Sequence, residues 1–334
     1  MVDLTKTGIG KKIAGTRAAA TLAVLLAATS VTCDLFSNPR TSRYQTSGAA
    51  LDVAVRNDTL AVAQGDSGLL LLDISDPKSP REIRRLVLFS RCGNLALGDS
   101  VVYVSVSSGA YAYFLPSGGR SRLDPQGDSQ AVTALLKDSA RLFMAAADGV
   151  SIFDITSPGV PIPAGFIPLA GYPTGLARRD SRLFVSLRDW GVRVLNILPG
   201  DSFVLDTLQL GKHNRAEGVT MSAGGYCIIS QGDSGIVVYY SPTADTVRYE
   251  AAAGDKNTAT YAAAATDGVQ EVSIYSADSC SVAVNKLTNR RGDVSFSGEA
   301  DFVQFTGFSR RICRGGNGYV YTASGDAGVY IIRE

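Results

Sequence analysis

Three features of the sequence predict an all-β chain built as a seven-bladed β-propeller. Short apolar runs alternate with Gly/Asp turns along nearly the whole chain. A hairpin unit recurs at a period of about 43 residues, the length of a propeller blade. No long amphipathic helical pattern interrupts the series. Blades of mostly four antiparallel strands are expected, with both faces of each sheet apolar and sandwiched between neighbours.

The first copy shows why these units are strands. Residues 69–72 are a continuous run of leucine, too short for an independent helix. Gly65-Asp66-Ser67-Gly68 precedes it, with glycines that allow positive φ and Asp66 able to hydrogen-bond its own backbone two residues on. The run at 60–63 lies before that turn, so the pair reads as a β-hairpin. Residues 51–55 supply a third strand, ended by Arg56-Asn57-Asp58. Pro77 and Pro80 then stop the hairpin's second strand, since proline donates nothing to a ladder.

In chain order, residues 1–33 read as a lipoprotein-like export signal. Lys6, Lys11, Lys12 and Arg17 form a basic leader, and residues 18–31 an apolar core shorter than the ~20 residues of a spanning helix. Cys33 follows, the position that a lipoprotein signal lipidates, although Thr32 stands where Gly, Ala or Ser is usual. Residues 34–43 read as a polar tether, and 44–334 as the propeller. Marker glycines at 68, 109, 149, 191, 235, 268 and 328 are 41, 40, 42, 44, 33 and 60 residues apart. The short step predicts a fifth blade without a proper outer strand, and the long one an extra strand within 276–310. The chain ends on the third strand of blade seven. The segment at 41–47 is therefore expected to supply the missing outer strand and close the ring, which would otherwise leave an open edge.

Gly68-Leu69-Leu70-Leu71-Leu72-Asp73-Ile74-Ser75-Asp76-Pro77 and Gly149-Val150-Ser151-Ile152-Phe153-Asp154-Ile155-Thr156-Ser157-Pro158 resemble the bacterial LVIVD repeat. The resemblance extends over about residues 48–334, most closely in the first and third copies. It implies an exported, often surface-attached β-propeller, with no established common catalytic activity.

Composition bounds the function. The chain has 334 residues and a net charge of +1, which gives no reason to invoke nucleic acid. His213 is the single histidine and the five cysteines lack CxxC spacing, so neither a metal site nor a cofactor is expected. Gly65-Asp66-Ser67-Gly68 and Gly232-Asp233-Ser234-Gly235 match the nucleophile segment of trypsin-like proteases, but their recurrence at one point of the repeat marks a turn, with Asp66 and Asp233 capping it. Cys227 and Cys313 fall at core positions, whereas Cys92 and Cys280 are candidates for a disulfide in an oxidising compartment.

The segments leading into each blade converge at the channel mouth, where propellers bind ligands. Arg91 and Asn94 lead into blade two, Tyr172 and Thr174 into blade four, and His213, Asn214, Arg215 and Glu217 into blade five. These are the candidate ligand-binding residues. The favoured function is a binding scaffold at the cell envelope, anchored to a membrane through lipid at Cys33, that presents a face to a protein or glycan. The alternative is a propeller hydrolase or lyase with its site around Glu217 and Arg215.

Overall fold

The computed structural model describes residues 40–334 except 127–130, 199–202, 211–214, 241–247, 252–261, 268–270, 278–280, 291–292, 297–300, 305 and 310. Residues 40–334 form one compact unit. It is a seven-bladed β-propeller of antiparallel sheets.

Blade one shows the pattern. Asp52–Arg56, Thr59–Ala63, Leu69–Asp73 and Arg81–Leu86 pair in sequence order, from the channel outward. Its second–third turn is a 3-10 turn over Gly65–Ser67. Main-chain bonds close it, Gln64 N to Gly68 O at 2.8 Å and Gly68 N to Gly65 O at 3.2 Å. The same pair of bonds recurs between residues 231 and 235 and between 324 and 328. The expected capping by Asp66 is absent, because the backbone already satisfies these groups. Gly68 has φ +84°, and a Cβ there would lie 2.2 Å from Leu86 O, so only glycine fits.

Blades two, three, four and five occupy 92–123, 132–168, 173–210 and 218–251, each with four strands. Blade five therefore has the outer strand that the spacing argued against: Arg248–Ala251 pairs with Ile236–Tyr240. The irregular spacing comes from Gly268, which lies between the first and second strands of blade six, Ala262–Asp267 and Glu271–Ala277. The third strand is Ser281–Arg290. Counted from third strand to third strand, Ile236 to Ser281 is 45 residues and Ser281 to Val329 is 48, so the period holds. The extra strand predicted within 276–310 is present. Asp293–Phe296 and Asp301–Gln304 both lie along the ten-residue Ser281–Arg290.

Blade seven closes the ring. Arg311–Arg314, Tyr319–Ala323 and Val329–Arg333 come from the C-terminus, and Thr41–Tyr44 is the outer strand, with Thr41 opposite Ile332 and Tyr44 opposite Val329. The propeller thus begins inside the segment read as a tether, at residue 40 rather than 44.

Among the described residues, seven apolar clusters fill the seven blade interfaces. Leu60, Leu70 and Leu72 of blade one face Tyr321, Val329 and Ile331 of blade seven. Ala61, Leu69 and Leu71 point the other way, toward Val102 and Val104 of blade two. Period-two alternation thus buries both faces of one strand against different neighbours. Cys227 is buried in this core and Cys313 packs at its edge, and burial pushes both thiols up. Cys92 is also a free, buried thiol, which removes the disulfide option; Cys280 lies outside the described residues.

Candidate functional site

The first strand of every blade lines a central channel of about 270 Å³, bounded by Asp52, Leu95, Leu135, Leu176, Val219, Ala263 and Ile312 among others. A wider cavity of about 590 Å³ opens above it, on the face that carries the lead-ins and the second–third turns. Its described lining comes from six blades. Arg91, Asn94, Tyr172, Thr174, Arg215 and Glu217 all contribute, so six of the eight candidate residues meet around one cavity. His213 and Asn214 lie outside the described residues.

The lead-ins of blades two and four are held at the mouth by bonds to neighbouring blades. Cys92 Sγ donates to Gly68 O of blade one at 2.9 Å. Asn94 Nδ2 donates to Val132 O of blade three at 3.1 Å. Thr174 Oγ1 donates to Ala216 O, leading into blade five, at 2.7 Å. Arg215 donates to Glu217 Oε1 in an ion pair whose arginine is half exposed and whose carboxylate is 12% exposed.

Two arginines were not singled out by the sequence. Arg188, in the second–third turn of blade four, sits over the Tyr172 ring at 4.7 Å from its centroid. Half-exposed Trp190 follows it in the same turn. Arg311 opens the first strand of blade seven and lines both the mouth and the channel. Its Nη2 donates to Asn94 Oδ1 at 3.0 Å, to Thr133 O at 3.2 Å and to Thr174 O at 3.4 Å. One side chain of blade seven thereby reaches across the channel to blades two, three and four. Comparison of blade seven's lead-in with those of blades two and five would have marked Arg311 as a mouth residue.

Below it lies Asp52, a buried carboxylate on the first strand of blade one. Leu95 N donates to its Oδ2 at 2.8 Å and Val53 N to its Oδ1 at 2.9 Å. Burial pushes the carboxyl above its ordinary value, opposed by the charge of Arg311 and by these two N–H groups.

Around the mouth the described lining carries four guanidinium groups, of Arg91, Arg188, Arg215 and Arg311, and one carboxylate, of Glu217. No three histidine, cysteine, aspartate or glutamate side chains among the described residues are grouped to hold a metal ion. The arrangement is suited to holding a ligand by charge-assisted hydrogen bonds.

Ring, channel and charged mouth together define the chain as a seven-bladed β-propeller with a polar cavity on one face. Its first blade, residues 47–86, matches the family described as the LVIVD repeat. The protein is thus a propeller whose first blade is similar to the LVIVD repeat. No curated protein matches the chain in sequence. Among solved structures it is similar to the Cps50 (Swd1) β-propeller domain of Myceliophteria thermophila, with a TM-score of 0.66 and 12% identity, over 88% of this chain and 99% of that one. U3-55K gives a TM-score of 0.67 and 11% identity over 89% and 99% of the two chains. A streptogramin B lyase gives 0.65 and 12% over 88% and 97%. At these identities the likeness is one of fold.

Proposed function

We propose that this propeller is an exported, lipid-anchored binding scaffold of the cell envelope, and that its partner, a protein or glycan, engages the face bearing the mouth. The observation that carries this reading is the meeting of polar side chains from separate lead-ins around one open cavity. Sites of this kind, concave and with a few convergent polar groups, are where ligands bind. The propellers of like fold include one named as a lyase. A hydrolase or lyase centred on Glu217 would first have to free its carboxylate from Arg215, whereas a binding site uses the pair as it stands.

The binding face is tested by placing a photo-crosslinking residue at Tyr172 of the intact chain in its membrane. A second chain carries it at Lys78, in the third–fourth connection of blade one, on the opposite face. Adducts are expected from position 172 and not from 78. Adducts from 78 alone would place the partner on the wrong face.

Anchoring rests on the basic leader, the apolar core and Cys33. Mass spectrometry of the membrane-extracted chain should find Cys33 as a diacylated first residue. An unmodified mature N-terminus at another position would refute the anchor.

A further inference from the structure

The charge at the mouth does not reflect the chain as a whole, whose net charge is only +1. Four guanidinium groups and one carboxylate are gathered on a single cavity. Arg215 and Glu217 offset one another. Of the other three arginines, Arg311 and Arg188 are held in place by neutral groups. Arg311 is oriented by an amide oxygen and two carbonyl oxygens, which satisfy N–H groups without cancelling the charge. Arg188 is positioned over the Tyr172 ring. Arg91 is exposed and makes no hydrogen bond or ion pair with the other described residues. The carboxylate that bears on Arg311 from below, Asp52, lines the channel and not the mouth.

Like charges brought together repel, and a concave wall focuses their field. The array is therefore arranged to receive negative charge from outside. Guanidinium groups suit carboxylate and phosphate, whose paired oxygens match the fork of N–H donors, and two of the three here are already oriented. The three arginines come from blades two, four and seven, so a single small anion would leave most of the ring unused. The volume, about 590 Å³, is that of a small-molecule site, with room for a compact ligand of about two sugar rings.

We infer that the mouth is a receptor site for a small multivalent anion, a compound bearing two or three carboxylate or phosphate groups, seated on Arg91, Arg188 and Arg311. This rests on the reading of the mouth face as the binding face.

The test is isothermal titration calorimetry on the intact chain in detergent, at low and at physiological ionic strength. The probes are citrate, pyrophosphate and digalacturonate, with neutral galactobiose as control. At least one anion should bind while galactobiose does not, and the affinity should fall with salt. Arg91→Gln and Arg188→Gln should each weaken binding about tenfold, the effect of losing one charge-assisted contact. Glu217→Gln should strengthen it several-fold, because it removes the one carboxylate of the described lining, which repels an anion. Binding of citrate or pyrophosphate alone identifies a free anion as the ligand type; binding of digalacturonate alone identifies an acidic glycan. Galactobiose binding as well as digalacturonate, failure of all three anions at millimolar concentration, or affinity unmoved by both arginine variants would overturn the inference. Both arginines are exposed, so unchanged melting of the variants is the control for folding. If no anion binds while crosslinking from position 172 persists, the binding face stands and this inference alone falls.

Discussion

Replacing Arg311 with methionine should destabilise the propeller by about 3 kcal/mol, although the substitution removes no apolar contact. The change strips a donor from Asn94 Oδ1, Thr133 O and Thr174 O, three acceptors on three different blades. It also takes away the positive charge that moderates the buried carboxylate of Asp52. The comparison is Arg188→Gln, at an exposed mouth position, where a change within about 0.5 kcal/mol is expected. Denaturant unfolding of both chains measures the difference. The loss should also depend on pH. A carboxyl raised above its unfolded value contributes stability at low pH that is lost as pH rises through its folded value. Asp52 is such a group, and without Arg311 its carboxyl is pushed up further. The penalty at Arg311 should thus be smaller at about pH 3, below the unfolded carboxyl value, than at pH 7. A loss no larger than that of Arg188→Gln would show that Arg311 does not bridge the channel, and a pH-independent loss that its charge does not bear on Asp52.

Deleting residues 34–47 should be similarly costly, at about 5 kcal/mol or roughly 10 °C in Tm. Thr41–Tyr44 supplies the outer strand of blade seven, in register with 329–332. Tyr44 packs against the apolar cluster between blades one and seven. Arg333 N donates to Arg40 O at 2.8 Å, and Gln45 Nε2 to Asp326 O at 3.1 Å. Tyr44 O approaches so closely that a Cβ at Gly328 would lie 2.4 Å from it. The deletion removes these contacts together and leaves the ladder edge of Val329–Arg333 open. Circular dichroism melting, with light scattering to detect association through that edge, reads out the effect. Unchanged melting would mean that the strand decorates the ring without closing it.

Much of the ring was legible because its signals are local and repeat. A strand of alternating core residues needs only its own sequence to show its period. A turn such as Gly65-Asp66-Ser67-Gly68 needs only glycine at positions of positive φ. Ring closure was legible because a blade of three strands leaves an edge that the chain has one spare segment to cover. The failures have one origin as well. Asp267-Gly268 reads as a turn signal, but such a signal does not say which hairpin of a blade it belongs to, so Gly268 reads as the opening of a third strand and blade five as short of a strand it has. Asp66 suits a cap, yet main-chain bonds already close its turn.

At the mouth the same division holds. Arg91, Asn94, Tyr172, Thr174, Arg215 and Glu217 could be grouped from sequence because equivalent points of a repeat fall at equivalent points of a ring. By itself the sequence determined most of the strands, the blade count, the closing segment and the face on which the lead-ins converge, since each follows from nearest-neighbour pairing. Only the tertiary structure decided what crosses the axis. Arg311 meets acceptors 217, 178 and 137 residues away in the chain. No local pattern encodes those distances. They exist because closing seven blades into a circle brings residues from opposite sides of the sequence within reach of one guanidinium.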